Sequence, residues 1–241
     1  NTDHGGGLES KMIPVNFYLN KNIYNDIILW NKENNFKRYT KILPVTKKIV
    51  KKKIHYNNKN ENLTIFFVES YKHIFDITNF PTFQNCNYNF ELICKVFSKI
   101  NPQIKKNLIF NNKINVGSYT HLRFEEKFNC NKKVSQSYLE LISKSRISVI
   151  CYPQTVLSEV MFLNLPLILL CNPIDFNLNK ESKFFFKLMK KNNLAFDCPF
   201  KAKTHIEKIW ENPKMWWFSK KTQKIRNLYL NKYFRSEINW S

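Results

Sequence analysis

Residues 145–173, SRISVICYPQTVLSEVMFLNLPLILLCNP, place two near-continuous apolar runs on either side of a short helical pattern. No other stretch constrains the fold as much. The runs 147–151 and 167–170 lack polar and apolar alternation, which marks strands buried on both faces, as in parallel sheets covered by helices. Between them the chain turns through Tyr152, Pro153 and Gln154. A helix is then expected from Thr155 to Leu163, closed by Asn164 and Pro166. The result is a compact β-α-β unit. Further strands are expected at 26–30, 63–68 and 107–110. Helices are expected at 89–98, 135–143, 180–191 and 203–211, with a long last one over 213–234. This alternation predicts an α/β fold: a doubly wound, mainly parallel Rossmann-like sheet flanked by helices and closing with a long carboxyl-terminal helix.

A chain that is 43% hydrophobic and 15% aromatic builds a core, so its formal charge of +21 coats a folded body. The basic residues are nearly all Lys, Asn is abundant and Gly occurs only 4 times, a pattern of A/T-rich coding. Six cysteines are scattered without a C-x-x-C pair, and several sit in apolar runs. They predict a reducing, cytoplasmic setting and no metal. The longest apolar stretch, Val160 to Cys171, is too short to span a membrane and is broken by Asn164 and Pro166. The first residue is Asn rather than Met and a Gly-rich motif begins at the fourth position. The chain is therefore expected to be the carboxyl-terminal portion of something longer.

In open parallel sheets ligands bind where carboxyl ends of strands meet helix amino termini, which puts Gln154, Thr155, Ser158 and Glu159 at the expected mouth. The helix amino terminus supplies N–H groups and a positive dipole end, suited to phosphate. With Thr155 as the N-cap, Glu159 stands four residues on and shares its face. It is placed to accept hydrogen bonds from a ribose diol. The alternative is an ordinary acidic residue complementing the helix dipole.

His4-Gly5-Gly6-Gly7 is the second constellation. Three consecutive glycines let the backbone approach a ligand and form an N–H nest, and His4 is a candidate general base. A flexible linker is the other reading, but glycine's scarcity elsewhere favours a backbone role.

These segments, with the DIILW strand at 26–30 and the Asn212-Pro213-Lys214-Met215-Trp216-Trp217 opening of the last helix, resemble the carboxyl-terminal half of the LIC12162-type transferases. These are bacterial surface-polysaccharide (O-antigen) enzymes similar to GT-B glycosyltransferases. The spacing Thr155, Glu159, Pro166 is shared widely among GT-B donor domains. The family tends to continue its Gly motif with an aromatic and another Gly where Leu8 and Glu9 stand here.

The resemblance implies a domain plan of 1–22 as interdomain Gly-rich loop, 23–211 as Rossmann-like nucleotide-sugar-binding domain, and 212–241 as an aromatic and basic helix packing back on the body. It also implies a nucleotide-activated sugar as donor, with no cofactor and no metal. Glu159 would hold the ribose, and Thr155, Ser158 and the helix amino terminus the phosphate. Gly5, Gly6 and Gly7 would line the cleft against an amino-terminal domain. The acceptor would be a glycan or a lipid-linked one at the inner face of the cell membrane.

Arg123 and Arg146 are candidates for the charge that stabilises a departing phosphate. Arg146 precedes its strand at the end opposite the site, so structural pairing is expected for it. His55, His73, His121 and His205 fit no metal spacing. In the last helix, Trp217, Ile225, Leu228, Tyr229 and Tyr233 share a stripe expected to pack on the body, with its Lys face offering secondary attraction to anionic lipid. A GT-B sugar-nucleotide epimerase is the rival enzyme reading, and it needs catalytic carboxylates not identified here. A basic nucleic-acid-binding protein, driven by the +21 charge, is the rival from another class; Lys is spread over the chain and no binding motif is present, so nucleic acid is not the expected partner.

Overall fold

A computed structural model describes residues 54–57, 59–68, 82–112, 119–130, 138–176 and 178–233. Five strands, β1 (Asn62–Phe67), β2 (Leu108–Asn112), β3 (Ser145–Ile150), β4 (Leu167–Leu170) and β5 (Ala195–Phe196), form one sheet in the order β2-β1-β3-β4-β5. Every pairing is parallel. The order reverses between β1 and β3, and that is where the carboxyl ends of a doubly wound sheet open a crevice. The strand expected at 26–30 and the segment 1–22 lie outside the described residues.

The side-chain alternation of the strands splits the core in two. Leu63, Ile65 and Phe67 of β1, Ile147 and Val149 of β3, and Ile168 and Leu170 of β4 face one way. There they meet α1 (Phe83–Phe97), α2 (Pro102–Lys105), α3 (Thr120–Phe128) and α7 (Pro199–Ile209). Phe66, Ile150, Leu167 and Leu169 face the other way. They pack under α4 (Tyr138–Lys144), α5 (Thr155–Phe162), α6 (Lys180–Lys191), α8 (Pro213–Trp217) and α9 (Lys220–Tyr233). Each fully buried Leu, Ile or Phe contributes about 1.5–3 kcal/mol over leaving it in water. Apolarity on both faces is what the strand sequences demand, and helices on both sides supply the cover.

The expected last helix is two helices. Asn212 caps α8 by accepting from the Met215 amide at 3.1 Å, the chain bends at Phe218 and Ser219, and Ser219 then accepts from the Thr222 amide to start α9. The break lets Trp217 on α8 and Tyr229 on α9 both bury themselves on the body. Of the expected stripe, Trp217, Ile225, Tyr229 and Tyr233 are buried, while Leu228 is 43% exposed. Among the described residues no helix is long and apolar enough to cross a membrane.

Candidate functional site at the carboxyl ends of the strands

β3 ends at Ile150 and the chain crosses Cys151, Tyr152 and Pro153 before α5 begins. The N-cap is Gln154, one residue earlier than expected, because its φ of −135° and ψ of −147° leave the helical region, and its side chain makes no cap bond. Thr155 is therefore the first helical residue. Both are half-buried at the mouth. The amides of the first turn have no intrahelical acceptor, and they face this opening with the positive end of the helix dipole.

Glu159 lies one turn on from Thr155 and is 6% exposed. Burial holds the Tyr152 hydroxyl protonated, and the negative charge of Glu159 adds to the effect. Ser158 points elsewhere. It is 1% exposed and its Oγ lies 3.0 Å from the Tyr229 hydroxyl of α9, so it packs against that helix instead of lining the mouth. A cavity of about 30 Å³ lies behind Pro153, between Leu157 of α5, Phe186 of α6 and Tyr233 of α9.

The carboxyl end of α5 is fastened with equal care. Arg226 of α9 donates through Nε to the Met161 carbonyl at 2.6 Å, which also accepts from the Asn164 amide, and through a terminal nitrogen to that of Phe162 at 3.0 Å. Asn164 follows with φ of 55° and accepts from Trp217 Nε1 at 2.9 Å and from Gln223 Nε2 at 3.0 Å. Two sequence segments singled out separately, 145–173 and 212–217, thus meet at the Asn164 side chain.

Arg123 is not brought to α5. It sits on α3, in the helix layer across the sheet, where it donates to Asn87 at 3.3 Å, pairs with Glu91 at 3.8 Å and lies 4.5 Å over the Phe90 ring. All three partners belong to α1, so Arg123 joins two helices. Arg146 pairs structurally, as its place at the start of β3 implied. It donates to the carbonyls of Asn60, Trp210 and Glu211. His4, Gly5, Gly6 and Gly7 lie outside the described residues.

Three residues at the mouth went unread in the sequence: Asn85 and Asn89 on α1, and Asp175 in the 3-10 turn Pro173–Phe176 after β4. Asn85 donates to the Asp175 carbonyl at 3.1 Å and Asn89 to the Cys151 carbonyl at 3.2 Å. The signal was the i, i+4 spacing of two asparagines in a helix that follows a buried strand. Burial pushes the Cys151 thiol well above its ordinary range, with Cys171 adding to the effect, so it is not a nucleophile at neutral pH. Among the described residues no group of three His, Cys, Asp or Glu is placed to hold a metal ion.

No curated protein matches the chain significantly. Among solved structures, the wall teichoic acid polymerase TagF aligns with a TM-score of 0.48 and 10% identity, over 98% of this chain and 63% of that one. The chain thus spans under two thirds of that polymerase. A family model described as LIC12162 family transferase matches residues 1–241.

Proposed function

Because the chain belongs to the LIC12162 family of transferases, we propose that it binds the nucleotide of an activated sugar at the carboxyl end of β3 and delivers that sugar to a bacterial surface-polysaccharide acceptor. One observation carries the reading. The parallel sheet reverses its order between β1 and β3, and the helix that follows β3 starts at that end of the sheet with Thr155 and Glu159 one turn apart along it.

In this reading the first-turn amides of α5, with Gln154 and Thr155, meet the donor's phosphates, and the helix dipole stabilises the charge that grows on the leaving nucleotide. Glu159 accepts from the ribose hydroxyls. A carboxylate suits that task because it is acceptor-only and takes two donors at once. His4 is the proposed general base for the acceptor hydroxyl, and Gly5 to Gly7 the proposed backbone floor of the cleft. The acceptor is a glycan or lipid-linked glycan, held with the help of an amino-terminal domain, and the Lys-rich α9 favours an anionic membrane surface.

Nucleotide protection of the full-length protein tests this. At a hundredfold excess over Kd, UDP or CMP is expected to raise the melting temperature by roughly 5–10 °C. Glu159→Ala is expected to weaken that nucleotide at least tenfold, with Glu159→Gln between the two. If neither nucleotide moves the melting temperature of the wild type or of Glu159→Ala, the donor-site assignment is wrong.

A further inference from the structure

At the carboxyl end of the sheet, two buried oxygen acceptors have no donor among the described residues. Asn89 is 3% exposed. Its Nδ2 donates to the Cys151 carbonyl, and because a carbonyl only accepts, this bond fixes which way the amide is turned. Oδ1 then faces away from Cys151, and among the described residues no donor reaches it. One turn earlier on the same face of α1, Asn85 holds the main chain of Asp175. Asp175 Oδ2 is likewise buried with no donor among the described residues. Burial holds this carboxyl above its ordinary range.

Buried polar atoms in folded proteins are nearly always paired, so two orphans at the same end of the sheet ask for a partner that the described residues do not supply. Their chemistry narrows what that partner is. An amide oxygen and a carboxyl oxygen accept and do not attract anions, so this spot is unsuited to phosphate. It suits an uncharged group bearing several hydroxyls. The donors that suit phosphate lie at the start of α5, which follows Cys151 in the chain.

We propose that Asn89 and Asp175 form a subsite for the hydroxyl groups of an uncharged sugar, held at the carboxyl ends of β3 and β4 near the start of α5. The role of that sugar as the transferred group rests on the nucleotide reading above. The subsite divides the crevice by polarity, with N–H donors for the anionic part of the donor and oxygen acceptors for the neutral part.

The test is calorimetric titration of the full-length wild type, Asn89→Ser and Asp175→Asn with UDP, CMP, and a panel of UDP- and CMP-linked neutral hexoses. Methyl glucoside is followed separately by the side-chain amide resonances of Asn89. At least one sugar nucleotide is expected to bind tenfold tighter than its bare nucleotide. Asp175→Asn, which keeps shape and folding, is expected to erase that factor while bare nucleotide binds within twofold of wild type; Asn89→Ser should do the same. Methyl glucoside is expected to shift the Asn89 resonances, and Asp175→Asn to abolish the shift.

If no sugar nucleotide outbinds its bare nucleotide, the subsite is wrong although the nucleotide reading stands. Variants that keep the tenfold factor would mean a buried water satisfies both oxygens, and the proposal falls. If no nucleotide binds but methyl glucoside shifts Asn89, the nucleotide reading fails and the hydroxyl subsite survives. If neither binds, both fall.

Discussion

Helices α5 and α6 both close on an asparagine with positive φ, Asn164 at 55° and Asn193 at 58°. In each, the following leucine amide reaches back to the carbonyl five residues earlier, Leu165 to Val160 at 3.3 Å and Leu194 to Met189 at 2.9 Å. The asparagine amide itself bonds to Met161 or Lys190. This is the two-bond Schellman closure that glycine usually serves. A chain with only 4 glycines meets the need with the residue next best suited to left-handed backbone. Asn193→Ala is expected to lower stability by about 1 kcal/mol, the cost of a β-carbon in that region, while Asn193→Gly holds or raises it. At Asn164 both changes cost stability, because its side chain also accepts from Trp217 and Gln223. Urea midpoints of the four variants check this, and equal losses for Asn193→Ala and Asn193→Gly would contradict it.

At the scale of elements, α9 holds α5 along its length, through Tyr229 at Ser158, Arg226 at Met161 and Phe162, and Gln223 at Asn164. Arg226→Ala leaves the Phe162 carbonyl without its guanidinium donor and the Met161 carbonyl with the Asn164 amide in place of two donors, and is expected to cost ~1–3 kcal/mol in denaturant unfolding. It should also weaken nucleotide protection, with Arg226→Lys recovering part of both. Unchanged nucleotide binding in Arg226→Ala would mean that α9 does not position α5.

The elements were legible where apolar periodicity was strong. The run 180–191 and the stripe Trp217, Ile225, Tyr229 and Tyr233 are cases in point. Helix α1 begins at Phe83, six residues before its expected start, because the asparagines in FQNCNYNF are poor helix formers and only packing of Cys86 and Phe90 overrides them. Helix α3 escaped notice since Phe124 and Phe128 alone carry its buried apolar face, and β5 because two residues make no pattern. At the site, the spacing of Thr155 and Glu159 was readable. The fate of Ser158 was not, since its partner is 71 residues away.

For the molecule as a whole, sheet order is a matter of distant pairings such as Thr64 with Ser148, which no local pattern encodes. The positive charge has a consequence through His205. That ring is packed between Phe196 at 5.3 Å and Trp216 at 5.1 Å, its Nε2 has no partner among the described residues, and burial, with Lys208 nearby, lowers its pKa to about 4. The unfolded chain takes up this proton near pH 6.5 and the folded one only near 4. Stability is therefore full above 6.5 and lost as pH falls across that interval. After discounting for its partial exposure the loss is on the order of 1–2 kcal/mol. Melting curves between pH 7 and 4 should show the fall, and His205→Gln should flatten it; an equally steep fall in the variant would put the acid sensitivity elsewhere. The bonds from Arg226 to α5 also set a schedule during translation. Phe162 lies 64 residues upstream of its capping arginine, so on a ribosome adding ~5–20 residues per second the helix that carries Glu159 waits roughly 3–13 s for that clamp. Until then the nascent sheet holds an unfinished helix, and the α5 end of the crevice is completed late in synthesis.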